Sequence, residues 1–155
     1  MDPHFRKGIA GVVYRMKDEK LEYLLLYGIH HGKGWKLLKG TERNMPEEDV
    51  LNKELDDEVK LKAKSVQKIP TRIKYEFPRW RQKGYSVRGQ DLQVYAVEVD
   101  STAQVMPDFR ENFDYHWTGF KEARRLLKFE DHKKALEKAD ENIRKRLEMQ
   151  REFKI

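Results

Sequence analysis

The residues of this chain best spaced to do chemistry are the acids Glu54, Asp57 and Glu58. Leu51, Leu55 and Val59 recur every fourth residue, which predicts a helix over residues 46–59 with one apolar stripe. The three acids then gather on a neighbouring face and project into one small volume. Carboxylates that close repel one another unless a cation neutralises them, and an all-oxygen donor set suits Mg2+ or Mn2+ better than zinc. The spacing alone also permits a solvated helix face of the Glu47, Glu48, Asp49 kind, with Lys53, Lys60 and Lys62 as ion-pair partners.

The elements that must position this helix are legible on both sides of it. Residues 8–14 and 22–27 are strand candidates joined by the charged turn 17–20, a hairpin at the start of a sheet. A glycine-rich loop over 28–34 leads to the extended run 35–39, a turn at Gly40 and a polar loop before the acidic helix. His30 and His31 in that loop lack a nearby third ligand and read as loop residues, with contact to a substrate phosphate as the other reading. After the helix come extended segments over 66–70 and 71–77, then a basic aromatic loop, then a cleanly alternating strand over 92–99. The loop interleaves Arg79, Arg81, Lys83 and Arg88 with Trp80 and Tyr85, a pattern suited to a ligand that has both phosphates and a planar base. A hairpin loop solubilised by its charges fits it nearly as well. Residues 115–117 are extended, a helix begins near Phe120, and a last helix runs from Glu130 past Leu147 into a charged, frayed tail.

At 155 residues, with 38% hydrophobic and 39% charged residues, the chain reads as a single domain with a core over about 7–143 and a charged tail over 144–155. The absence of cysteine excludes disulfide and thiolate chemistry and suits a cytoplasmic protein. No segment reads as a membrane span or signal peptide. A net charge of +6 favours an anionic partner, and nucleoside polyphosphates and RNA both qualify.

The segment from Gly40 to Leu61 resembles the Nudix box, whose pattern is Gly, five residues, Glu, seven residues, Arg-Glu-hydrophobic-any-Glu-Glu-any-Gly-hydrophobic. Gly40 matches the opening glycine and residues 53–61 match the closing half. The departures are specific: the loop after Gly40 is one residue short, Met45 stands where the family has its first glutamate, Lys53 replaces the arginine, and Lys60 replaces the glycine after the helix. Glu42, Glu47 and Glu48 are the candidates to stand in for the missing acid. Residues 22–26, Tyr75, residues 115–117 and the helix beginning at Phe120 fall where the diadenosine tetraphosphate hydrolase branch has related residues.

That resemblance implies an α/β fold, an α/β/α sandwich with a curved mixed sheet, the box helix on one side and the C-terminal helices on the other. It implies divalent metal ions, Mg2+ or Mn2+, held by Glu54, Asp57 and Glu58, and gives Glu111 a place near the metal. The expected reaction is hydrolysis of a nucleoside polyphosphate, foremost a dinucleoside tetraphosphate, by water attacking phosphorus. Glu58 or Glu111 would accept the proton, with Glu54 beside them among the catalytic residues. Lys39, Gly40, Lys74, Arg79 and Lys83 would meet the phosphates and Tyr75 the base. Two alternatives stand: an RNA 5′-pyrophosphohydrolase, and a non-catalytic nucleotide- or RNA-binding protein, for which Met45, Lys53 and Lys60 argue.

Overall fold

The computed structural model describes residues 4–29, 32–41, 44–82, 87–110 and 112–152, with the backbone alone at 81, 82 and 113. The N-terminal hairpin forms as expected: β1 (Phe5–Lys17) and β2 (Lys20–Gly28) pair antiparallel with Lys17 opposite Lys20. Asp18 and Glu19 close it in two residues, with φ of 51° and 66°. Such a turn matches the twist of the strands it joins, and it requires positive φ at both positions.

The extended run before the helix divides into β3 (Gly34–Lys36), on β2, and β4 (Leu38–Thr41), on β1. Beyond the helix, β5 (Ser65–Glu76), β6 (Gly89–Glu98) and β7 (Asn112–Thr118) complete a seven-stranded sheet of order β3-β2-β1-β6-β5, with β4 on β1 and β7 on β2. The β1 to β6 pairing is parallel and every other one antiparallel, so the sheet is mixed.

The two segments on either side of Pro70 form one strand, β5, rather than two. Its register against β6 shifts between Lys68 and Arg72, and Pro70, which has no N–H to give, lies inside that irregularity. The buried Gln93 side chain repairs the interrupted ladder: its Nε2 donates to the Ile69 carbonyl at 2.6 Å and the Thr71 carbonyl at 3.2 Å.

Both faces of the sheet are covered. The acidic helix, α1 (Glu47–Val59), buries Val50, Leu51, Leu55 and Val59 against one of them, together with Ile9, Val13, Leu24, Leu38 and Val97. Three acids in its first turn suit the positive end of the helix dipole. After the short α2 (Arg79–Gln82), the opposite face takes α3 (Phe120–Leu126) and α4 (Glu130–Glu152), with Ala123, Ala135, Leu136, Ala139 and Ile143 packed on Tyr23, Leu25, Ile73 and Val94.

The C-terminal tail, expected to fray from Arg144, is helical to Glu152. Asp140 explains this, since it accepts from the Tyr23 hydroxyl at 2.5 Å and from Arg144 Nε at 3.0 Å, while Leu147 still reaches the core. No helix among the described residues is long and apolar enough to cross a membrane.

The stripe on α1 makes a direct prediction. Leu55→Ala should destabilise the fold by about 2–5 kcal/mol in urea titrations, whereas Asp56→Ala, on the exposed face, should stay within about 0.5 kcal/mol of wild type. Equal effects would mean that α1 does not seat the sheet through that stripe.

Candidate active site

The acids of α1 sit over β4 because Gly40 has no side chain. A Cβ built at Gly40 would lie 2.2 Å from Glu54 Cγ and 2.5 Å from its Cδ, so the glutamate stem occupies the volume a larger residue would need. One turn further on, Glu58 is half-buried, with its Oε2 shielded from solvent.

Glu54, Asp57, Glu58 and Lys39 line one cavity of about 460 Å³, together with Lys60, Asp108 and Arg110. Asp57 differs from the other two acids of the helix. It is exposed and its Oδ2 takes an ion pair from Lys53 Nζ at 3.1 Å, which satisfies part of its charge. Lys53 therefore acts along the helix surface, at the spacing of a helical i, i+4 pair.

The far wall of this cavity belongs to the segment between β6 and β7. It is pinned to the end of α1 by two backbone bonds, from the Met106 N–H to the Val59 carbonyl at 2.9 Å and from the Asp108 N–H to the Glu58 carbonyl at 2.8 Å. Asp108 accepts from Arg110 at 3.1 Å, and that hydrogen bond holds its carboxyl below the usual range. Glu111, the acid expected here from the sequence, lies outside the described residues, as do Lys83, His30, His31 and Glu42.

Among the described residues no three acidic or imidazole side chains stand close enough together to ligate one ion unaided. The donor set still fits a hard divalent cation. Mg2+ keeps several waters and commonly takes only one or two protein carboxylates, the rest of its shell coming from substrate phosphates. Glu54 and Glu58, half-buried on one face of α1, supply that number.

Lys39 also lines a second cavity of about 330 Å³, together with Ile73, Tyr75, Phe77, Pro78, Phe129 and His132 among others. Lys39 Nζ donates to the Tyr75 hydroxyl at 3.2 Å, and Tyr75 in turn donates to Gln90. Deep in this wall His132 accepts from the Leu37 N–H through Nδ1 at 3.2 Å, which requires that nitrogen to be unprotonated. Burial, with Lys39 and Lys36 nearby, lowers the His132 pKa to about 3. Burial likewise brings the Lys36 ammonium down to about 8, reinforced by Lys39 and Lys128.

The structure unites some predicted residues and separates others. Lys39, Gly40, Glu54, Glu58 and Tyr75 converge. Lys74 lines neither cavity: it neighbours Tyr75 on a strand, so the alternation of side chains sends it across the sheet from the aromatic cavity, over the Phe5 ring at 4.4 Å. Arg79 is exposed on α2 and lines neither cavity. Of the possible replacements for the missing box glutamate, Glu47 accepts from the Tyr95 hydroxyl at 2.9 Å, and Met45 packs on the core below α1. Burial and Glu47 together push the Tyr95 hydroxyl up to about 12.

The order of strands and the helices on both faces of the sheet match the fold of the Nudix hydrolases. Solved structures share it across nearly the whole chain. An Ap4A hydrolase from C. elegans, in a binary complex, superposes with a TM-score of 0.73 at 16% identity, over 89% of this chain and 97% of its own. The E. coli dihydroneopterin triphosphate pyrophosphohydrolase gives 0.67 at 15% identity, over 86% and 94%. The NUDIX domain of Shewanella oneidensis NrtR, complexed with ADP ribose, gives 0.66 at 15% identity, over 92% and 94%. No protein-family model matches the chain, and no curated protein matches it by sequence.

Two predictions follow from this geometry. Gly40→Ala should destabilise the protein by about 1–3 kcal/mol through overpacking, and adding Glu54→Ala should recover most of that loss; additive urea midpoints would refute the contact. For His132, the unfolded chain takes up a proton near pH 6.5 and the native one only near 3, so stability should fall as pH drops through that window, by at most about 1.4 kcal/mol per unit. His132→Asn keeps an acceptor for Leu37 and should flatten the slope. Parallel pH profiles would show that His132 is not held neutral.

Proposed function

We propose that this protein is a metal-dependent pyrophosphohydrolase of nucleoside polyphosphates, with a dinucleoside tetraphosphate as its best-fitting substrate. The observation that carries this reading is that one residue, Lys39, lines both a carboxylate-lined cavity and an aromatic one. A polyphosphate bound against a cation needs the first, and a purine or pyrimidine ring needs the second.

In this reading Glu54 and Glu58 would hold Mg2+ or Mn2+, with Asp57 and Asp108 on the same acidic wall. When bound, the ion neutralises phosphate oxygens and lowers the pKa of coordinated water. Lys39 bridges the two cavities and holds a phosphate near the base, and Arg110 meets the chain from the opposite wall. Tyr75, Phe77 and Phe129 offer aromatic surface to the base. Glu58 is the acid we assign to accept the proton from the attacking water, its shielded oxygen facing less competition from solvent. The Ap4A hydrolase of C. elegans, which shares the fold, supports the choice of a dinucleoside polyphosphate.

A second reading keeps the chemistry and extends the substrate into a 5′-polyphosphorylated RNA. It is favoured by Trp80, which is 77% exposed on α2 just beyond Phe77 and Pro78 at the rim of the aromatic cavity, with Arg79 beside it. Exposed aromatic and cationic side chains suit stacking by a further base.

The test is turnover of diadenosine tetraphosphate, ADP-ribose, a nucleoside triphosphate and triphosphorylated RNA with Mg2+ or Mn2+. Glu58→Gln should cost at least about 100-fold in kcat, and chelation should abolish activity. Preference for RNA, with a steep salt dependence, selects the second reading. No turnover of any of them, by either wild type or variant, would leave a nucleotide-binding protein with a hydrolase fold.

A further inference from the structure

Where α1 ends, the helix needs a left-handed residue and receives a lysine. Lys60 has φ 59° and ψ 38°, and its N–H and that of Leu61 turn back to the carbonyls of Asp56 and Leu55. Glycine adopts this conformation without strain, whereas a side chain with a Cβ crowds its own backbone. The other described non-glycine residues with positive φ have local reasons: Asp18 and Glu19 make the hairpin turn, and Asn44 is a type that tolerates the region. The helix end demands the conformation at 60, but nothing in the backbone demands a lysine.

The lysine side chain shows what it adds. It lines the acidic cavity with Glu54, Asp57, Glu58 and Asp108. Its charge is one of those acting on the Asp108 carboxyl. The other cations nearby have described partners: Arg110 lies on Asp108 at 3.1 Å, Lys53 on Asp57 at 3.1 Å, and Lys39 reaches the Tyr75 hydroxyl at 3.2 Å. Among the described residues the Lys60 ammonium makes no ion pair or hydrogen bond, although four carboxylates share its cavity.

Its position along the acidic row also has meaning. Lys39 adjoins Gly40, against which Glu54 packs, and it also lines the aromatic cavity. Lys60 follows Glu54 by six residues, a rise of about 9 Å along the helix. The two lysines therefore enter the acidic cavity from different places, Lys39 from β4 beside Gly40 and Lys60 from the end of α1 beyond Glu58. A chain of several linked phosphates lying over the acids would meet both, and a short one would meet only the first.

We propose that Lys60 is a substrate-binding residue that grips the phosphate farthest from the nucleoside, and so sets a preference for long polyphosphate chains. This rests on the pyrophosphohydrolase reading and adds to it a determinant of chain length. The strained backbone is retained because the left-handed cap is the point from which a lysine can enter the cavity.

The experiment compares wild type, Lys60→Gly and Lys60→Arg by thermal unfolding and by calorimetric titration with inorganic tripolyphosphate and with pyrophosphate in the presence of Mg2+. Lys60→Gly should raise Tm by about 2–4 °C, the sensitivity of a domain of this size to relief of one strained residue. It should also weaken tripolyphosphate about tenfold and pyrophosphate less than threefold, by loss of one charge-assisted contact. Lys60→Arg should keep the affinity for tripolyphosphate within about threefold of wild type, since it restores the charge.

Stability and affinity moving in opposite directions is a result that a merely structural cap would not give. If Lys60→Gly raises Tm and binds tripolyphosphate as wild type does, Lys60 has no part in recognition and the proposal fails alone. If wild type binds neither polyphosphate, the hydrolase reading fails and this proposal with it. If Lys60→Gly weakens both ligands equally, the residue is a general attractor of anions and the chain-length claim is overturned.

Discussion

The site depends on how closely one helix can approach one short strand. With Leu51 and Leu55 buried on the sheet and Gly40 leaving space beneath Glu54, α1 lies near enough for its acids to face Lys39 across a narrow gap. Any side chain at 40 would lift the helix or turn the glutamate away. Packing of this kind admits few continuous adjustments, because interiors are as dense as organic crystals. The chemistry at the end of α1 is therefore an outcome of steric fit several residues from the carboxylates themselves.

Electrostatics then divides the cavity by role. Four carboxylates face three cationic side chains there, so charge is nearly balanced without a ligand. Asp57 and Asp108 each take a cation from the protein, and Glu54 and Glu58 are more buried than Asp57. On the other side of Lys39, burial keeps His132 neutral and lowers the hold of Lys36 on its proton. Positive charge near the aromatic cavity is thus carried by lysines, with the imidazole contributing an acceptor to the backbone of residue 37.

Much of this was legible in the sequence, for identifiable reasons. The helix over 47–59 announced itself through Leu51, Leu55 and Val59, and the hairpin through two apolar runs flanking a charged turn. Spacing that repeats is readable because each element imposes its own period. What escaped was set by tertiary contact. Asp108 and Arg110 become site residues only because their segment is tied to the carboxyl end of α1, and Phe129 and His132 only because α4 begins beside β5. A charged Asp-Phe-Arg run ahead of β7 was the one local hint of the former. Lys74 lines neither cavity, and strand alternation, readable from Tyr75 next to it, sets it across the sheet from the aromatic one. The continuation of α4 past Arg144 rests on Tyr23 and Asp140, residues 117 apart in the chain.

Pro70 has an effect beyond its own strand. β5 is the outermost strand beside β6, and an open border of that length would ordinarily offer its amides to a neighbouring chain. The missing N–H, the irregular register around it, and cations at 68, 72 and 74 make that border a poor template. Copies of the protein crowded together at high concentration should accordingly resist edge-to-edge aggregation.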